Sequence, residues 1–249
     1  MYSLNNKTIL LSGSGGFLGR ELIKQLIKID KYNIIAVTSS ESDLKKIFKN
    51  KSNLRILNIN SWYDEVKSES NIDIFINCAF PRSSKPAELA KGLDFVENIV
   101  KQALRLDISN IINISSQSVY TQMKKSLPDE RFEVAPGSLY GMAKYASEKI
   151  VANLCENANI SYSNIRLASL TGNELELRMT NRFVKQALIG EKIIINGHGQ
   201  KISYLDVRDA AEAIITMLTK LGKWNNVYNL GNNEKYSVSY CTSIVLSGL

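Results

Sequence analysis

Ile9-Leu10-Leu11-Ser12-Gly13-Ser14-Gly15-Gly16-Phe17-Leu18-Gly19-Arg20, continuing into Glu21-Leu22-Ile23-Lys24-Gln25-Leu26, is an apolar run that passes through spaced glycines into an amphipathic helical pattern. Gly13, Gly16 and Gly19 stand three apart, which lets a chain turn tightly, bring its backbone close to a pyrophosphate and pack a helix against the strand before it. The free N–H groups and the positive end of the dipole at that helix start favour phosphate charge. A glycine triplet alone also occurs in ordinary turns; the strand before it and the helix after it supply the context for a bound dinucleotide.

Downstream of this loop, apolar runs alternate with helical patterns. Residues 34–37, 54–59, 72–79 and 111–114 are short and rich in Ile and Val, as strands buried on both faces of a parallel sheet should be. Residues 21–28, 42–49 and 88–106 have helical periodicity between them. This β-α-β-α order predicts an α/β protein, a Rossmann-type doubly wound parallel sheet. No internal repeat, low-complexity tract or Pro/Gly/Ser-rich linker interrupts it, so any second lobe is stitched into the first.

A chain of 249 residues suffices for one substantial core, or for a nucleotide-binding domain with a small lobe. Cys78, Cys155 and Cys241 are far apart, form no Cys-x-x-Cys and follow no cleavable apolar leader, so a cytoplasmic, reducing location is expected. No run approaches the roughly 20 apolar residues that span a bilayer. The excess of 31 Lys and Arg over 24 Asp and Glu gives a net charge of +7, which suits a phosphorylated substrate. The basic residues are scattered, so no nucleic-acid stripe is visible.

A second informative segment is Leu139-Tyr140-Gly141-Met142-Ala143-Lys144-Tyr145-Ala146-Ser147-Glu148-Lys149. Tyr140 and Lys144 are four apart, so on a helix they share a face. An ammonium beside a phenol favours the phenolate and makes it competent to exchange protons with a substrate hydroxyl or carbonyl. A surface Tyr-Lys pair is the plain alternative. Against it stands Ile111-Ile112-Asn113-Ile114-Ser115-Ser116-Gln117-Ser118-Val119-Tyr120, which places hydroxyls at the end of a buried strand, where open parallel sheets bind ligands.

These segments together resemble the extended short-chain dehydrogenase/reductase family, in its NAD(P)-dependent nucleotide-sugar epimerase/dehydratase group. Gly13-x-x-Gly16-x-x-Gly19, with Phe17 and Leu18 inside it, looks like the family's cofactor loop, and Asn77-Cys78-Ala79-Phe80 falls where its fourth strand passes the cofactor. Ser115-Ser116-Gln117-Ser118-Val119-Tyr120 resembles its Ser-Ser-x-x-Val-Tyr-Gly run, and Tyr140-Gly141-Met142-Ala143-Lys144 its Tyr-x-x-x-Lys pair. Asn164-Ile165-Arg166-Leu167 with Thr171-Gly172 looks like the sixth strand and its exit, and Val227-Tyr228-Asn229-Leu230-Gly231 like a late strand. Ile193-Ile194-Ile195-Asn196-Gly197-His198-Gly199-Gln200 and Ile202-Ser203-Tyr204-Leu205-Asp206-Val207-Arg208-Asp209 resemble the substrate-lobe hairpin and the helix start after it. The resemblance implies an NAD(P)-binding domain over residues 1–166. A small, abbreviated C-terminal substrate lobe over 167–249 would interleave with the last strands of the sheet.

It also implies roles. Tyr140 as phenolate takes a proton from a sugar hydroxyl while hydride passes to the nicotinamide, Lys144 holds the cofactor ribose and lowers the tyrosine's pKa, and Ser116 orients the reacting oxygen. The activity implied is an oxidoreductase or epimerase acting on a nucleotide-activated sugar. Ser116-Gln117-Ser118 lacks the Asp-Glu pair that family dehydratases carry after the catalytic hydroxyl, which disfavours 4,6-dehydration. Family members often dimerise through helices matching 88–106 and 140–157. A homodimer is therefore expected, and sedimentation showing only monomer at micromolar concentration would count against it.

Several positions depart from the family pattern. The acid that grips the ribose 2′-hydroxyl is replaced by the strand end Val37-Thr38-Ser39-Ser40, and Arg20, Lys45 and Lys46 are expected within reach of it. NADP is therefore expected, with NAD second, unless Glu41 or Asp43 supplies the carboxylate from the loop. Leu57-Asn58-Ile59 carries an amide where the family usually has Asp beside adenine, and an amide can still bond a base. Gly92 falls near a position that is asparagine in many members. Members also continue beyond the position of 240–249, and 173–182 is short for a substrate loop. A non-catalytic NADP-binding protein with a truncated substrate pocket is thus the alternative to the enzyme.

Arg178 and Arg182 are candidates for a substrate diphosphate, with a solvated helix face as the alternative. His198, between Gly197 and Gly199, reads as a hairpin tip, and no metal site is expected. Trp62 and Trp224 read as packing residues. Asp206 and Asp209 are expected to cap and charge the N-terminus of a helix over 210–218.

Overall fold

The structure is a computed structural model that describes residues 7–29, 31–68, 72–120, 128–172, 179–195, 201–219 and 224–247. Seven strands form one parallel sheet: β1 (Lys7–Ser12), β2 (Tyr32–Thr38), β3 (Leu54–Asn58), β4 (Ile74–Asn77), β5 (Asn110–Ser116), β6 (Ser161–Leu167) and, far along the chain, β10 (Asn226–Leu230). Their spatial order is β10-β6-β5-β4-β1-β2-β3, so the chain starts in the middle, winds to one edge, returns and winds to the other. That is the doubly wound arrangement expected from the strand composition.

Two apolar layers cover the sheet because the strands bury alternate side chains on opposite faces. On one face Ile9, Leu11, Ile74 and Ile112 meet α1 (Phe17–Ile29), α2 (Glu41–Ile47) and α7 (Val207–Met217). On the other, Leu10, Phe75 and Ile111 meet α3 (Trp62–Val66), α4 (Pro86–Ala103) and α5 (Leu139–Ala158). α1 buries Leu18, Leu22, Ile23 and Leu26, one stripe of its helical repeat. Trp62 is 2% exposed in the second layer, which makes it the packing residue it was expected to be, and Trp224 packs against the first.

Toward the C-terminal ends of the strands, the second face turns polar. The Ser12 hydroxyl donates to Asn77 Oδ1 at 2.7 Å, Asn77 Nδ2 to Asn113 Oδ1 at 3.0 Å, and Asn113 Nδ2 to Asn164 Oδ1 at 2.8 Å. These four are register partners on β1, β4, β5 and β6, and each is at most 2% exposed. The ladder satisfies buried amides that would otherwise carry a desolvation penalty.

Element bounds differ from expectation where side chains intervene. The run 72–79 yields only Ile74–Asn77 as strand, because Asn77 Oδ1 also accepts Ala79 N–H at 3.3 Å and turns the chain out of the sheet. α4 begins two residues early, at Pro86, whose fixed φ suits a first helical position. α7 starts at Val207, not at 210, because Asp206 is itself the N-cap and accepts Arg208 N–H at 2.8 Å. α3 has no counterpart in the sequence reading.

The remaining elements follow Leu167: β7 (Ser169–Thr171), α6 (Met179–Leu188), β8 (Lys201–Ile202), β9 (Tyr204–Asp206), β11 (Tyr236–Ser237) and α8 (Val238–Ser247). The expected substrate-lobe hairpin is not what the described residues form. Ile193–Ile195 carry no strand, β8 pairs antiparallel with β11, and β9 pairs parallel with β7. His198 and Arg178 lie outside the described residues.

Candidate active site

The loop after β1 is shaped by close approaches. Gly13 has φ +67°, and a Cβ there would stand 2.7 Å from the Ala79 backbone nitrogen; a Cβ at Gly19 would collide with the Gly13 carbonyl. Gly16 N–H donates to Gly13 O at 2.9 Å. Ser14, fully buried, donates its hydroxyl to Val37 O at 2.8 Å and so ties the loop to β2. The first turn of α1 contains no acidic residue, so its unpaired amides and dipole stay available to an anion. Ala79, Phe17 and Leu18 lie at this loop, as the sequence implied.

At the end of β2, Thr38 is 5% exposed and Ser39 and Ser40 are exposed. Thr38 Oγ1 accepts Ser40 N–H at 3.1 Å and would lie 2.7 Å from a Cβ on Gly15, so Thr38 abuts the loop. Asn58 pairs with Thr38 across the strands and accepts Asn60 N–H at 3.0 Å, which gives its amide oxygen to its own turn. Lys45 pairs with Glu41, and Lys46 with Asp43 at 3.4 Å, within α2. Arg20 lines a different groove, with Lys24, Phe48 and Asp206.

Ser116, Tyr140 and Lys144 come together in a cavity of about 190 Å³, which Leu18 of the glycine loop also lines. Ser116 ends β5, where its Oγ accepts Ser118 N–H at 3.1 Å and donates to Ser118 Oγ at 3.2 Å. Tyr140 and Lys144 occupy the first turns of α5, whose N-cap, Ser138, accepts Gly141 N–H at 3.1 Å. Gly141 is required there because any Cβ would run into the Ser118 carbonyl; its absence lets α5 press against the Ser116–Ser118 segment.

Phe80 is the aromatic floor. Its ring stands edge-on to Tyr140 at 6.2 Å between centroids, and the Lys144 ammonium lies 4.4 Å from its centroid. Lys144, 3% exposed, donates to the Ile114 carbonyl at 2.5 Å. Burial pulls its ammonium down from 10.5 to about 8, with Glu148 and then Cys78 opposing the fall. Burial also pushes the Cys78 thiol up to about 12.

Sequence reasoning missed Arg82, Gln117 and Ser169 as lining residues, and Phe80 as the surface against which both Tyr140 and Lys144 rest. Gln117 Nε2 donates to Ser169 Oγ at 3.4 Å. Arg182 is exposed on α6 and does not line the cavity; the guanidinium that does is that of Arg82. Gly92 is buried, and a Cβ there would stand 2.5 Å from Pro81 and 3.4 Å from the Phe80 ring. Among the described residues no group of His, Cys, Asp and Glu could hold a metal, and no helix is long and apolar enough to cross a membrane.

A parallel doubly wound sheet, a glycine loop opening α1, and a hydroxyl, tyrosine and lysine meeting beside that loop define a dinucleotide-binding protein of the short-chain dehydrogenase/reductase kind. The model of the NAD dependent epimerase/dehydratase family matches residues 9–231, and the chain belongs to that family. It is 24% identical to the uncharacterized UDP-glucose epimerase YtcB of Bacillus subtilis over 255 residues, covering 95% of this chain and 80% of that protein. The crystal structure of UDP-N-acetylglucosamine 4-epimerase from Bacillus cereus superposes with a TM-score of 0.81 at 25% identity, covering 97% of this chain and 81% of that one. The dTDP-glucose 4,6-dehydratase of Bacillus anthracis, solved in complex with NAD, shares the fold with a TM-score of 0.83 at 20% identity, over 97% of this chain and 80% of its own.

Proposed function

We propose that the protein is an NAD(P)-dependent enzyme that epimerises, or reduces as its 4-keto form, a nucleotide-activated hexose, with Ser116, Tyr140 and Lys144 as its catalytic residues. The observation that carries this reading is the shared cavity: Leu18 of the dinucleotide loop, Ser116 at the end of β5, and Tyr140 and Lys144 on α5 reach it from three different segments. The cofactor fits the residues present. The amides of Gly13 to Gly19 and the start of α1 would hold its pyrophosphate, Thr38 to Ser40 and Asn58 its adenosine end, Ala79 its passage over the sheet, and Lys144 a ribose. When bound, it supplies the hydride acceptor and donor.

The chain's own residues do the proton work. Tyr140 Oη removes the proton from the sugar hydroxyl, and the adjacent ammonium of Lys144 favours the phenolate that does so. Ser116 Oγ, its acceptor side engaged by the Ser118 amide, turns its O–H from Ser118 Oγ to the reacting oxygen and fixes its position. Phe80 and Leu18 keep water from that oxygen. Gln117 and Ser118, an amide and a hydroxyl, cannot exchange protons as a carboxyl pair can, which disfavours 4,6-dehydration. The hydroxyls of Thr38 to Ser40, with no carboxylate among them, leave room for a ribose 2′-phosphate, so NADP(H) is the preferred form.

The test is to incubate the protein with NAD⁺ or NADP⁺ and a panel of UDP- and dTDP-hexoses, and to follow the C4 epimer by NMR. Fluorescence titrations with NADPH and NADH run alongside. Turnover is expected, with NADPH the tighter ligand, and Tyr140→Phe should lower the rate by about 10²–10⁴-fold while cofactor affinity stays nearly constant. Equal activity in Tyr140→Phe would remove the tyrosine from its role. Tighter NADH would reverse the cofactor preference.

A further inference from the structure

Glu148 and Arg166 are a charged pair in the interior, 3% and 5% exposed, and the reaction as described above makes no use of them. Arg166 Nε donates to Glu148 Oε1 at 2.9 Å and Nη2 to Oε2 at 2.7 Å, a two-pronged contact that fixes both groups in one plane. The third nitrogen, Nη1, donates to the Tyr120 hydroxyl at 2.8 Å, and the guanidinium carbon lies 4.9 Å from that ring's centroid. The Tyr120 hydroxyl donates in turn to Asn229 Oδ1 on β10 at 2.9 Å. Glu148 also accepts the Ser115 hydroxyl. Through these bonds α5 is fastened to β5, to β6, to the segment after Ser116 and to β10.

The placement of this knot relative to the cavity is specific. Tyr140, Lys144 and Glu148 are successive members of one i, i+4 stripe of α5, and Ser115 immediately precedes Ser116. Two ions in a protein interior gain little or nothing in stability over a well-packed apolar pair, so fold stability alone is a poor account of them. The groups around Lys144 are Tyr140 and Glu148 from α5, Cys78 and Phe80 from the segment after β4, and the Ile114 carbonyl and Ser115 from β5, and Arg82 lines the same cavity. Glu148 is the carboxylate of this set, and Arg166 holds it in place.

We infer that Glu148 and Arg166 are positioning residues of the site: the carboxylate keeps the buried Lys144 ammonium charged, and the guanidinium clamped on it sets the spacing between Ser116 and the Tyr140–Lys144 stripe. The catalytic consequence rests on the roles proposed above for those three residues; the electrostatic part does not. Lys144 loses its proton as pH rises through about 8, so withdrawing the Glu148 charge brings that loss to lower pH.

The experiment is an NMR titration of the full chain labelled with ¹³C at lysine Cε, with the Lys144 signal assigned by its disappearance in Lys144→Arg. In Glu148→Gln the Lys144 midpoint is expected to fall by about one pH unit, and the alkaline limb of the turnover profile to fall with it. Because Glu148→Gln leaves a buried guanidinium without its carboxylate, Glu148→Met/Arg166→Met is measured too. It removes both charges at similar volume, and a lowered midpoint in a folded double variant supports the inference. An unchanged Lys144 midpoint in either folded variant overturns it. If the wild-type protein turns over no sugar nucleotide while Glu148→Gln still lowers the Lys144 midpoint, the proposed enzyme is refuted and the electrostatic part of the inference stands.

Discussion

Under the proposed mechanism, Lys144 carries a conflict between stability and chemistry. A lysine at 10.5 in the unfolded chain and about 8 in the folded one is a charged group taken out of water against its preference. Below pH 8 both states hold the proton and the full cost is present; between 8 and 10.5 the folded form sheds it first and the cost shrinks; above 10.5 it vanishes. Lys144→Met should therefore stabilise the protein at pH 7 by about 3 kcal/mol while abolishing turnover, and the gain should fade as denaturation is repeated toward pH 10.5. A loss of stability at pH 7 would contradict the burial argument. In the sequence, the helix repeat put Tyr140 and Lys144 on one face and the strand end put a group of hydroxyls nearby, and the family resemblance singled out Ser116 among them. The sequence did not reveal Phe80, Ser14 or the Glu148–Arg166 pair in these roles, since each acts through a partner at least 18 residues away.

The elements with the strongest apolar pattern were the easiest to read, and their ends the hardest. β1, β2, β5 and α1 follow from Ile, Leu and Val placement, whereas β4 is cut short by an amide and α7 is lengthened by a cap. Both effects depend on where a polar side chain turns, which periodicity does not encode. The same holds for the Ser12–Asn77–Asn113–Asn164 ladder, four polar residues in otherwise apolar strands that a hydropathy pattern treats as blemishes. Asn113 sits inside it, donating to one neighbour and accepting from the other. Asn113→Ala should strand both partners in the interior and cost about 3 kcal/mol, read from urea unfolding. A cost under about 0.5 kcal/mol would mean that the strands hold their register without it.

At the scale of the whole molecule, the alternation of strands and helices was readable through β5 from the residues themselves, while β6 was placed by the family resemblance. The last strand was visible as Val227-Tyr228-Asn229-Leu230, but the antiparallel β8–β11 pair and the parallel β7–β9 pair were not. These are two- and three-residue contacts between segments remote in sequence, too short to leave a pattern. β10 pairs with β6 across an intervening stretch that contains α6 and α7, and Asn229 reaches back to Tyr120 and to Pro128 O. During synthesis, then, the first six strands can assemble while the outer edge of β6 still displays its unpaired amides and carbonyls, a surface that invites pairing with another chain. A chain arrested after α7 should aggregate where the full chain stays monodisperse in light scattering. For this protein, a pause by the ribosome anywhere between Leu167 and Leu230 leaves a nearly finished sheet waiting for its selvedge.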